Sequence, residues 1–226
     1  MAKRCFDITC ALAGLAVLAP FLAAAALLIK LGSRGPVFYR GVRVGKDGHP
    51  FRIFKFRTMV LDADKQGASS TPEDDPRITP VGAFLRLYKL DELPQLLNVV
   101  TGDMSLVGPR PEVPSGVELY TEAERALLSV CPGITDYASI RFSNEGEILR
   151  GSSDPDRDYQ ILIAPEKKRL GLEYVKSHSL GTDFKILLAT LWKLAGGNPE
   201  SILGAGALAP PNPEGKSRGG TVPDAR

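Results

Sequence analysis

The longest apolar segment of the chain lies near its N-terminus and contains no charged residue. It runs for 22 residues from Ile8 to Ile29, "ITCALAGLAVLAPFLAAAALLI". As one helix it would measure about 33 Å, enough to cross a bilayer core of about 30 Å. Residues 1–34 are therefore predicted to form a membrane anchor.

Three arrangements of this anchor are compatible with the residues. A cleaved secretory signal would use Lys3 and Arg4 and a small-residue stretch at 23–26, although the apolar run continues past that stretch. A simple spanning helix is the second arrangement. The third is a re-entrant hairpin bent at Pro20, which the basic residues on both flanks favour slightly because both ends would then stay on the cytoplasmic side.

Residues 35–59 alternate between β-rich and turn-rich stretches. Two β-rich runs flank "GKDGHP", which predicts a β-hairpin with Gly45 and Gly48 supplying the turn conformations. Short helices are predicted for "VGAFLRLYKL" and "LPQLLNVV", with Pro94 in a first helical turn. The second helix is expected to bury an apolar stripe formed by Leu90, Leu93, Leu97 and Val100.

The second half of the chain has mostly helical periodicity. "TEAERALLSV" predicts a helix, and further helical segments are expected on either side of Pro165. "GTDFKILLATLWKL" predicts an amphipathic helix that packs on the core, the more common case, or lies on the membrane plane. Its apolar face is predicted to comprise Phe184, Leu187, Leu188, Leu191 and Ala195.

These elements predict an α+β, mostly helical fold. The N-terminal anchor is followed by a folded domain over residues 35–196, in which a small β-hairpin, short helices and loops are combined with amphipathic helices at the membrane interface. Residues 204–226 are rich in glycine, proline and alanine and are predicted to be a disordered tail.

Composition narrows the classes of function. Within 226 residues the net charge is only +2, yet residues 1–60 hold ten Lys/Arg against Asp7 and Asp47, so the remainder carries −6. This basic, apolar front end favours an anionic partner such as a lipid surface, and nucleic acid is not expected because the cations border the anchor. Three cysteines in no metal-binding pattern and two distant histidines leave little material for a zinc site or a Ser-His-Asp triad.

The segment "LYKLDELPQLLNVV" places two adjacent acids, Asp91 and Glu92, before an apolar helix. The structural interpretation is ordinary acid in a first helical turn, which the helix dipole stabilises. The chemical hypothesis is a Mg²⁺ anchor in which one carboxylate attacks phosphorus. That hypothesis needs cations for phosphate binding, and the candidates are Lys55, Arg57, Arg86 and Arg110, the last braced by Pro109 and Pro111.

Three motifs together are far more specific than any of these residues alone. "KFRTM", "LDELPQLLNVVTGDMSLVGPRPE" and "PGIT" resemble the bacterial sugar transferase family, the monotopic phosphoglycosyl transferases, over residues 1 to about 195. The resemblance implies transfer of a sugar-1-phosphate from a UDP-sugar to polyprenyl (undecaprenyl) phosphate, with release of UMP, as the first membrane step of glycan assembly. It also implies a re-entrant anchor broken at Pro20, on the cytoplasmic face of the bacterial inner membrane.

The resemblance also assigns roles by position. Asp91 would be the nucleophile that becomes a phospho-sugar ester, and Glu92 its Mg²⁺-binding partner. Lys55, Arg86 and Arg110 would match the family's basic residues, with Arg110 contacting phosphate. The stretch "SIRFSNEGEIL" is similar to a subgroup's loop, which suggests that Arg141, Asn144 and Glu145 face the nucleotide-sugar.

Two positions depart from the family pattern. Cys131 stands where many members have arginine, and Gly171 where many have aspartate. Neither touches the acidic pair, so substrate detail is more in question than reaction type. A competing hypothesis is a membrane-bound scaffold or nucleotide-sugar-binding protein that keeps the fold without catalysis. The sugar stays open at this stage, as does assembly into a homo-oligomer.

Overall fold

The computed structural model describes residues 1–63 and 66–209, and this part of the chain is mostly helical with short two-stranded sheets. The strands are β1 Phe38–Tyr39, β2 Val42–Val44, β3 Pro50–Arg52, β4 Lys55–Phe56, β5 Ser105–Val107 and β6 Gly133–Thr135. The helices are α1 Ala2–Gly32, α2 Pro80–Leu87, α3 Gln95–Thr101, α4 Pro114–Glu118, α5 Tyr137–Arg141, α6 Glu145–Ile148, α7 Pro155–Leu162, α8 Ala164–Ser177, α9 Leu180–Leu194 and α10 Glu200–Leu203.

The predicted apolar N-terminal segment forms α1, a helix of 31 residues. By length and composition alone it could cross a membrane, and it buries only Asp7, Ala11, Ala25 and Ile29 against the rest of the protein. Pro20 lies inside this helix, not in a gap between two helices. A proline removes one backbone hydrogen bond and bends a helix without necessarily ending it.

Both ends of α1 are bound to the same folded domain. Near its start, Arg4 donates hydrogen bonds to the carbonyls of Val99 and Val100 at 2.6 and 3.1 Å. Just after its end, Arg57 donates to the carbonyl and hydroxyl oxygens of Ser33, each at 2.9 Å. The helix therefore lies along the domain instead of leaving it.

The predicted β-hairpin is confirmed. β2 pairs antiparallel with β3, and β1 pairs antiparallel with β4, so that Tyr39 lies opposite Lys55. In the turn, Gly48 has the positive φ of 81° that the prediction required, but the other left-handed residue is Asp47 at 55° and not Gly45. Aspartate tolerates this conformation better than most residues.

The predicted helix after the acidic pair is confirmed, but its buried face is different. Leu90, Leu93, Leu97 and Val100 are only half-buried, whereas Leu96 and Val99 are fully buried. A short 3-10 helix at Leu90–Glu92 precedes α3. Because a 3-10 helix has three residues per turn and an α-helix 3.6, the side chains that follow it point in directions that a continuous α-helix does not predict.

The segment just before "GPRP" forms a buried strand. β5 pairs in parallel with β6, aligning Ser105 with Gly133 and Val107 with Thr135. The two chains approach closely, because a Cβ added to Gly133 would lie 2.0 Å from the nitrogen of Gly108. This pair joins the two distant sequence motifs "LVGPRP" and "PGIT" into one support.

Most of the predicted apolar face of the amphipathic helix α9 points away from the core, although Leu187 packs against it. Its buried positions are Asp183, Ile186 and Ala189. The prediction that this whole face packs on the core is wrong for the positions that stay exposed. These include Phe184, Leu188 and Leu191. They form an apolar outer surface together with Leu180 and Trp192.

The C-terminal part of the described chain is ordered further than the composition predicted. Residues 204–209 form a turn after α10, and Leu208 is buried against the core. The rest of the predicted disordered tail, residues 210–226, lies outside the described residues.

Candidate active site

Asp91 is buried beside a lysine. The short 3-10 helix Leu90–Glu92 carries it, and only 2% of Asp91 is exposed. Its Oδ2 lies 2.9 Å from the Nζ of Lys55, which β4 presents from the hairpin. Its other oxygen, Oδ1, accepts no hydrogen bond from the described residues. One face of this buried carboxylate is thus left for another group.

Glu92, the residue after Asp91, is paired with a second cation, Arg110. Arg110 binds it through two hydrogen bonds, Nη2 to Oε1 at 2.5 Å and Nη1 to Oε2 at 3.0 Å, and Lys55 lies 3.4 Å from Oε1. Burial opposes ionisation of this carboxyl, but the charges of Arg110 and Lys55 outweigh it and hold the pKa of Glu92 well below its usual range. The result is a compact cluster of two carboxylates and two cations.

The β5–β6 pair fixes the position of Arg110. Pro109 and Pro111 are both buried, and the Pro109 carbonyl accepts a hydrogen bond from the Gly133 nitrogen at 3.0 Å. The backbone on both sides of Arg110 is held, while its guanidinium remains partly exposed. Such an arginine can bind a phosphate as well as a carboxylate in a bidentate manner.

Two predicted phosphate-binding residues make no side-chain contact with Asp91 or Glu92 among the described residues. Arg57 is buried and donates to the backbone of Ser33 and Arg34, so it ties the end of α1 to the domain. The side chain of Arg86 forms no hydrogen bond or ion pair with the described residues, and its charge acts on Asp75, whose pKa Arg77 and, more weakly, Arg86 lower. The sequence could not separate these arginines from Arg110 because all lie close to the same motifs.

The three residues predicted in "RFSNEGE" also differ in whether they are linked to the acidic pair. Glu145 pairs with Lys167 of α8, and its charge acts on Arg110, which brings it to the edge of the site. Arg141 is exposed and lies over the ring of Phe142, and Asn144 contacts Glu147 at 3.5 Å. Of the three predicted residues, only Glu145 is linked to the acidic cluster by these contacts.

Lys89 is a site residue that sequence reasoning missed. It directly precedes the acidic helix and has the left-handed φ of 56°, an uncommon conformation for lysine. Partial desolvation lowers the pKa of Lys89, and the charges of Glu92 and Asp91 oppose this shift. Its ammonium makes no ion pair with the described residues. The only sequence signal was its position two residues before Asp91.

The donor atoms of the pair suit Mg²⁺. This ion prefers oxygen ligands, keeps several waters and often binds through one or two carboxylates together with substrate phosphates. Asp91 offers a free oxygen, whereas Arg110 and Lys55 engage both oxygens of Glu92. Among residues 1–63 and 66–209, no group of three or more His, Cys, Asp or Glu side chains is arranged to hold a metal. The residues therefore fit an ion that substrate oxygens help to bind.

The two departures from the family pattern have different surroundings. A Cβ on Gly171 would lie 2.8 Å from Cδ2 of Leu127 and 3.6 Å from Pro109, so this glycine lets α8 pack against the support of Arg110. A carboxylate at this position would displace Leu127. Cys131 has a different neighbour, because its Sγ is 3.9 Å from the Gly102 carbonyl.

An apolar helix bound at both ends to a domain that holds two carboxylates, an arginine and a lysine in one cluster indicates a membrane-associated protein. The chain belongs to the bacterial sugar transferase family, whose model matches residues 1–197.

Similarity to individual proteins is also extensive. The chain is 41% identical over 196 residues to "Undecaprenyl-phosphate glucose phosphotransferase" of Komagataeibacter xylinus and to "UDP-glucose:undecaprenyl-phosphate glucose-1-phosphate transferase" of Escherichia coli K12. These matches cover 84% of this chain but only 35% and 39% of those proteins. "Exopolysaccharide production protein PSS" of Rhizobium leguminosarum is also 41% identical, and there 92% of the relative is covered. The chain thus spans little more than a third of the first two relatives.

Proposed function

We propose that this protein transfers a sugar-1-phosphate from a UDP-sugar to a polyprenyl phosphate and releases UMP. The relatives whose names describe such transfers support the substrate classes. The observation that carries the proposal is the buried Asp91 carboxylate, which pairs with Lys55 through one oxygen and whose other oxygen accepts no hydrogen bond within residues 1–63 and 66–209. A carboxylate held in this way is poised as a nucleophile among cations that attract phosphate.

The reaction then has two displacements. In the first, an Asp91 oxygen attacks the phosphorus that carries the sugar, an aspartyl–phosphorus bond forms, and the diphosphate bridge breaks so that UMP leaves with the electron pair. In the second, an oxygen of the polyprenyl phosphate attacks the same phosphorus and releases Asp91 as a free carboxylate. The products are UMP and a polyprenyl diphosphate-linked sugar.

The cations have distinct tasks in this scheme. Lys55 holds Asp91 in place and offsets charge as the phosphoryl group approaches. Arg110 keeps Glu92 ionised and, because it is partly exposed, can also extend its fork to the substrate. Lys89 supplies an unpaired cation at the start of the acidic helix. These residues orient the phosphates and neutralise their charge.

We further propose that Mg²⁺ binds with the nucleotide-sugar, through Asp91 and Glu92 and the diphosphate oxygens. When bound, the ion would neutralise phosphate charge as a Lewis acid. Weak binding to the free protein is expected because the protein offers few ligands. Isothermal titration with Mg²⁺ should give little heat in the absence of a UDP-sugar and a clear signal in its presence, and equally tight binding in both cases would contradict this proposal.

The attachment of α1 supports a monotopic arrangement on the cytoplasmic face. A straight crossing would separate Arg4 from Ser33 by a bilayer, yet both contact one domain. A helix bent at Pro20 that enters and leaves on one face avoids this conflict, and the exposed apolar surface of α9 can then rest on the same lipid surface. Single cysteines placed in a cysteine-free variant at the exposed residues 2 and 34 should both react with an impermeant maleimide only in inverted vesicles. Labelling of one site from each side would instead show a spanning helix.

The activity itself is tested with purified protein in lipid nanodiscs. A panel of UDP-sugars, each with Mg²⁺ and polyprenyl phosphate, is assayed for UMP. The proposal predicts acceptor-dependent turnover with at least one UDP-sugar. Absence of UMP across the panel, with nucleotide-sugar binding still present, would favour the non-catalytic alternative.

A further inference from the structure

Gln95 carries a buried hydrogen-bond donor that the protein itself does not use. The residue begins α3, and only 1% of it is exposed. Its side-chain nitrogen, Nε2, is buried and donates to no acceptor within residues 1–63 and 66–209. Leaving a buried donor without a partner costs free energy, and native proteins contain few such groups. An acceptor that arrives with a substrate would account for this one.

The helical backbone directs Gln95 toward the acidic pair. Gln95 follows Asp91 by four residues and Glu92 by three. The chain between them is helical throughout, because the 3-10 helix Leu90–Glu92 is followed by two residues with right-handed helical φ and ψ. Residues three and four apart are neighbours on a helix surface, and long helical side chains lean toward the preceding turn. The preceding turn here is the one that holds Asp91 and Glu92.

Contacts on either side of Gln95 show what its face of the helix packs against. One turn further along, the side-chain oxygen of Asn98 accepts a hydrogen bond from the backbone nitrogen of Phe54 at 2.7 Å. One turn earlier, Glu92 lies 3.4 Å from the Nζ of Lys55. Gln95 lies between these two contacts, three residues from each. Its amide therefore belongs to the helix face that packs against the chain segment carrying Lys55.

Two polar groups of this buried region, one helical turn apart, lack a partner within the described chain. Asp91 pairs with Lys55 through Oδ2, and its Oδ1 accepts no hydrogen bond there. Gln95 has the unpaired donor Nε2, which is not bonded to Asp91. A phosphoryl group joined to an Asp91 oxygen would supply the missing acceptor, because its non-bridging oxygens are strong hydrogen-bond acceptors. A donor already in place for such oxygens is the arrangement that stabilises a transition state.

We propose that Gln95 binds the phosphoryl group while it is transferred through Asp91. This role rests on the proposed function and adds a hydrogen-bond donor to it. Nε2 donates to a non-bridging oxygen of the phosphorus that Asp91 attacks, while the diphosphate bridge breaks and UMP leaves with the electron pair. The amide transfers no proton and stays neutral, so it can remain beside Asp91 without occupying the carboxylate as a second ammonium would. A structural glutamine whose amide binds water is the competing explanation.

The first test measures whether the amide stabilises the fold. Gln95→Met keeps the approximate length of the side chain and removes the donor. Asn98→Leu is the matched comparison one turn away, because the buried Asn98 amide is hydrogen-bonded at both its oxygen and its nitrogen. Gln95→Met should unfold at the temperature of the wild type or higher, whereas Asn98→Leu should unfold at a lower temperature. A fall of similar size in both variants would overturn the proposal, since the Gln95 amide would then be satisfied within the protein.

The second test measures whether the amide accelerates the first displacement. UMP formed in a single turnover without acceptor is measured by rapid quenching, and the dependence of the rate constant on UDP-sugar concentration gives the apparent Kd. Gln95→Met should lower the rate constant by about 10²-fold, the effect of removing one preorganised donor to a reacting oxygen, and change the Kd by less than about threefold. Leu96→Met, which introduces the same residue at the next buried position, should keep both values.

The outcomes separate this role from the proposed function. Gln95→Met with the rate constant of the Leu96→Met control would overturn the role of Gln95 and leave the proposed function intact. A wild-type protein that releases no UMP with any UDP-sugar would refute the proposed function, and this role with it.

A third measurement uses the wild-type protein and does not depend on a variant that folds. The sequence has three glutamines, and Gln66 and Gln160 are exposed, so they serve as internal references. In a magnetic resonance spectrum of protein labelled at its glutamine side-chain nitrogens, the amide protected from solvent exchange is that of Gln95. Its proton signals should move downfield when the UDP-sugar alone forms the Asp91 adduct, while the references stay in place. An unchanged Gln95 signal in protein whose adduct is confirmed by mass would overturn the proposal.

Discussion

Two buried aspartate–lysine pairs in this protein have the same components but different surroundings. Asp183 is 1% exposed and Asp91 2% exposed. Asp183 is satisfied at both oxygens, because Lys3 pairs with Oδ2 and the Tyr174 hydroxyl lies 2.7 Å from Oδ1. Among the described residues, the Asp91 side chain is paired with Lys55 alone, through one oxygen.

The difference separates a structural pair from a reactive one. Asp183 closes a network that ties the N-terminus of α1 to α8 and α9, and Tyr174 also lies 3.0 Å from the Val107 carbonyl. Its lone pairs are used within the protein. Asp91 keeps an oxygen available and has cations beyond its own partner, and these are properties that a nucleophile toward phosphorus requires. Burial and charge alone do not distinguish the two sites, whereas hydrogen-bond satisfaction does.

The largest expected effect is on turnover, and it should separate the two aspartates completely. Asp91→Asn keeps the shape of the side chain but removes the nucleophile, so UMP release should fall by at least about 10³-fold. Asp183→Asn should keep turnover per folded molecule within about twofold. UMP release in nanodiscs, normalised to folded protein, measures both. Equal losses in the two variants would refute the distinction.

Stability should respond in the opposite order. Asp183→Asn removes the closer carboxylate of Lys3 and leaves only Asp7, 4.0 Å away, and breaking such a partly buried pair should cost about 2 kcal/mol of unfolding free energy. Asp91→Asn should be neutral or slightly stabilising, because a buried charge with one free oxygen is removed. Thermal unfolding in the same detergent compares the two variants. A larger loss of stability for Asp91→Asn would show that Asp91 is also a structural residue.

A smaller effect distinguishes the cations that border the acidic pair. Lys89→Gln removes an unpaired charge next to the site, and we expect about a tenfold loss in kcat/KM for the UDP-sugar. Arg86→Gln is the matched comparison, since its charge acts on Asp75, and its effect should stay within about threefold. A reversed order would place Arg86 at the phosphates and remove Lys89 from the site.

The smallest effect concerns pH. Arg110 helps to hold the pKa of Glu92 below its usual range, so Glu92 stays ionised in mildly acidic solution. In Arg110→Gln the opposing effect of burial is less well compensated, the pKa of Glu92 rises, and the acidic limb of the rate profile should move to higher pH. The wild type and Arg86→Gln provide the reference profiles, because Arg86 is not among the charges that lower the pKa of Glu92. An unshifted limb in Arg110→Gln would mean that ionisation of Glu92 does not limit the rate.

The sequence could predict the parts of this architecture that local patterns determine. The apolar helix, the hairpin around "GKDGHP" and the helices after Pro80 and Pro94 follow from periodicity and turn chemistry. The parallel pairing of β5 with β6 could not be predicted, because each strand has three residues and its partner is distant in the chain. That pairing is what brings Arg110 to Glu92.

The candidate site also has residues that the sequence could predict and residues that it could not. Asp91 and Glu92 are adjacent, so their proximity is given by the chain, and the motif resemblance marked them. The roles of individual cations depend on side-chain direction, which the sequence does not state. The sequence therefore did not predict that Arg57 binds the end of α1 or that Lys89 lies next to the acidic pair. Exposure of the apolar face of α9 depends on what that helix packs against, which periodicity alone cannot supply.

The central claim is tested most directly by intact-mass and peptide mass spectrometry of protein incubated with its UDP-sugar and no acceptor. The account predicts a mass increase of one sugar phosphate on the peptide that contains Asp91, present in Asp183→Asn, absent in Asp91→Asn and discharged when polyprenyl phosphate is added. Full acceptor-dependent turnover with no adduct on that peptide, even after rapid acid quenching, would contradict it.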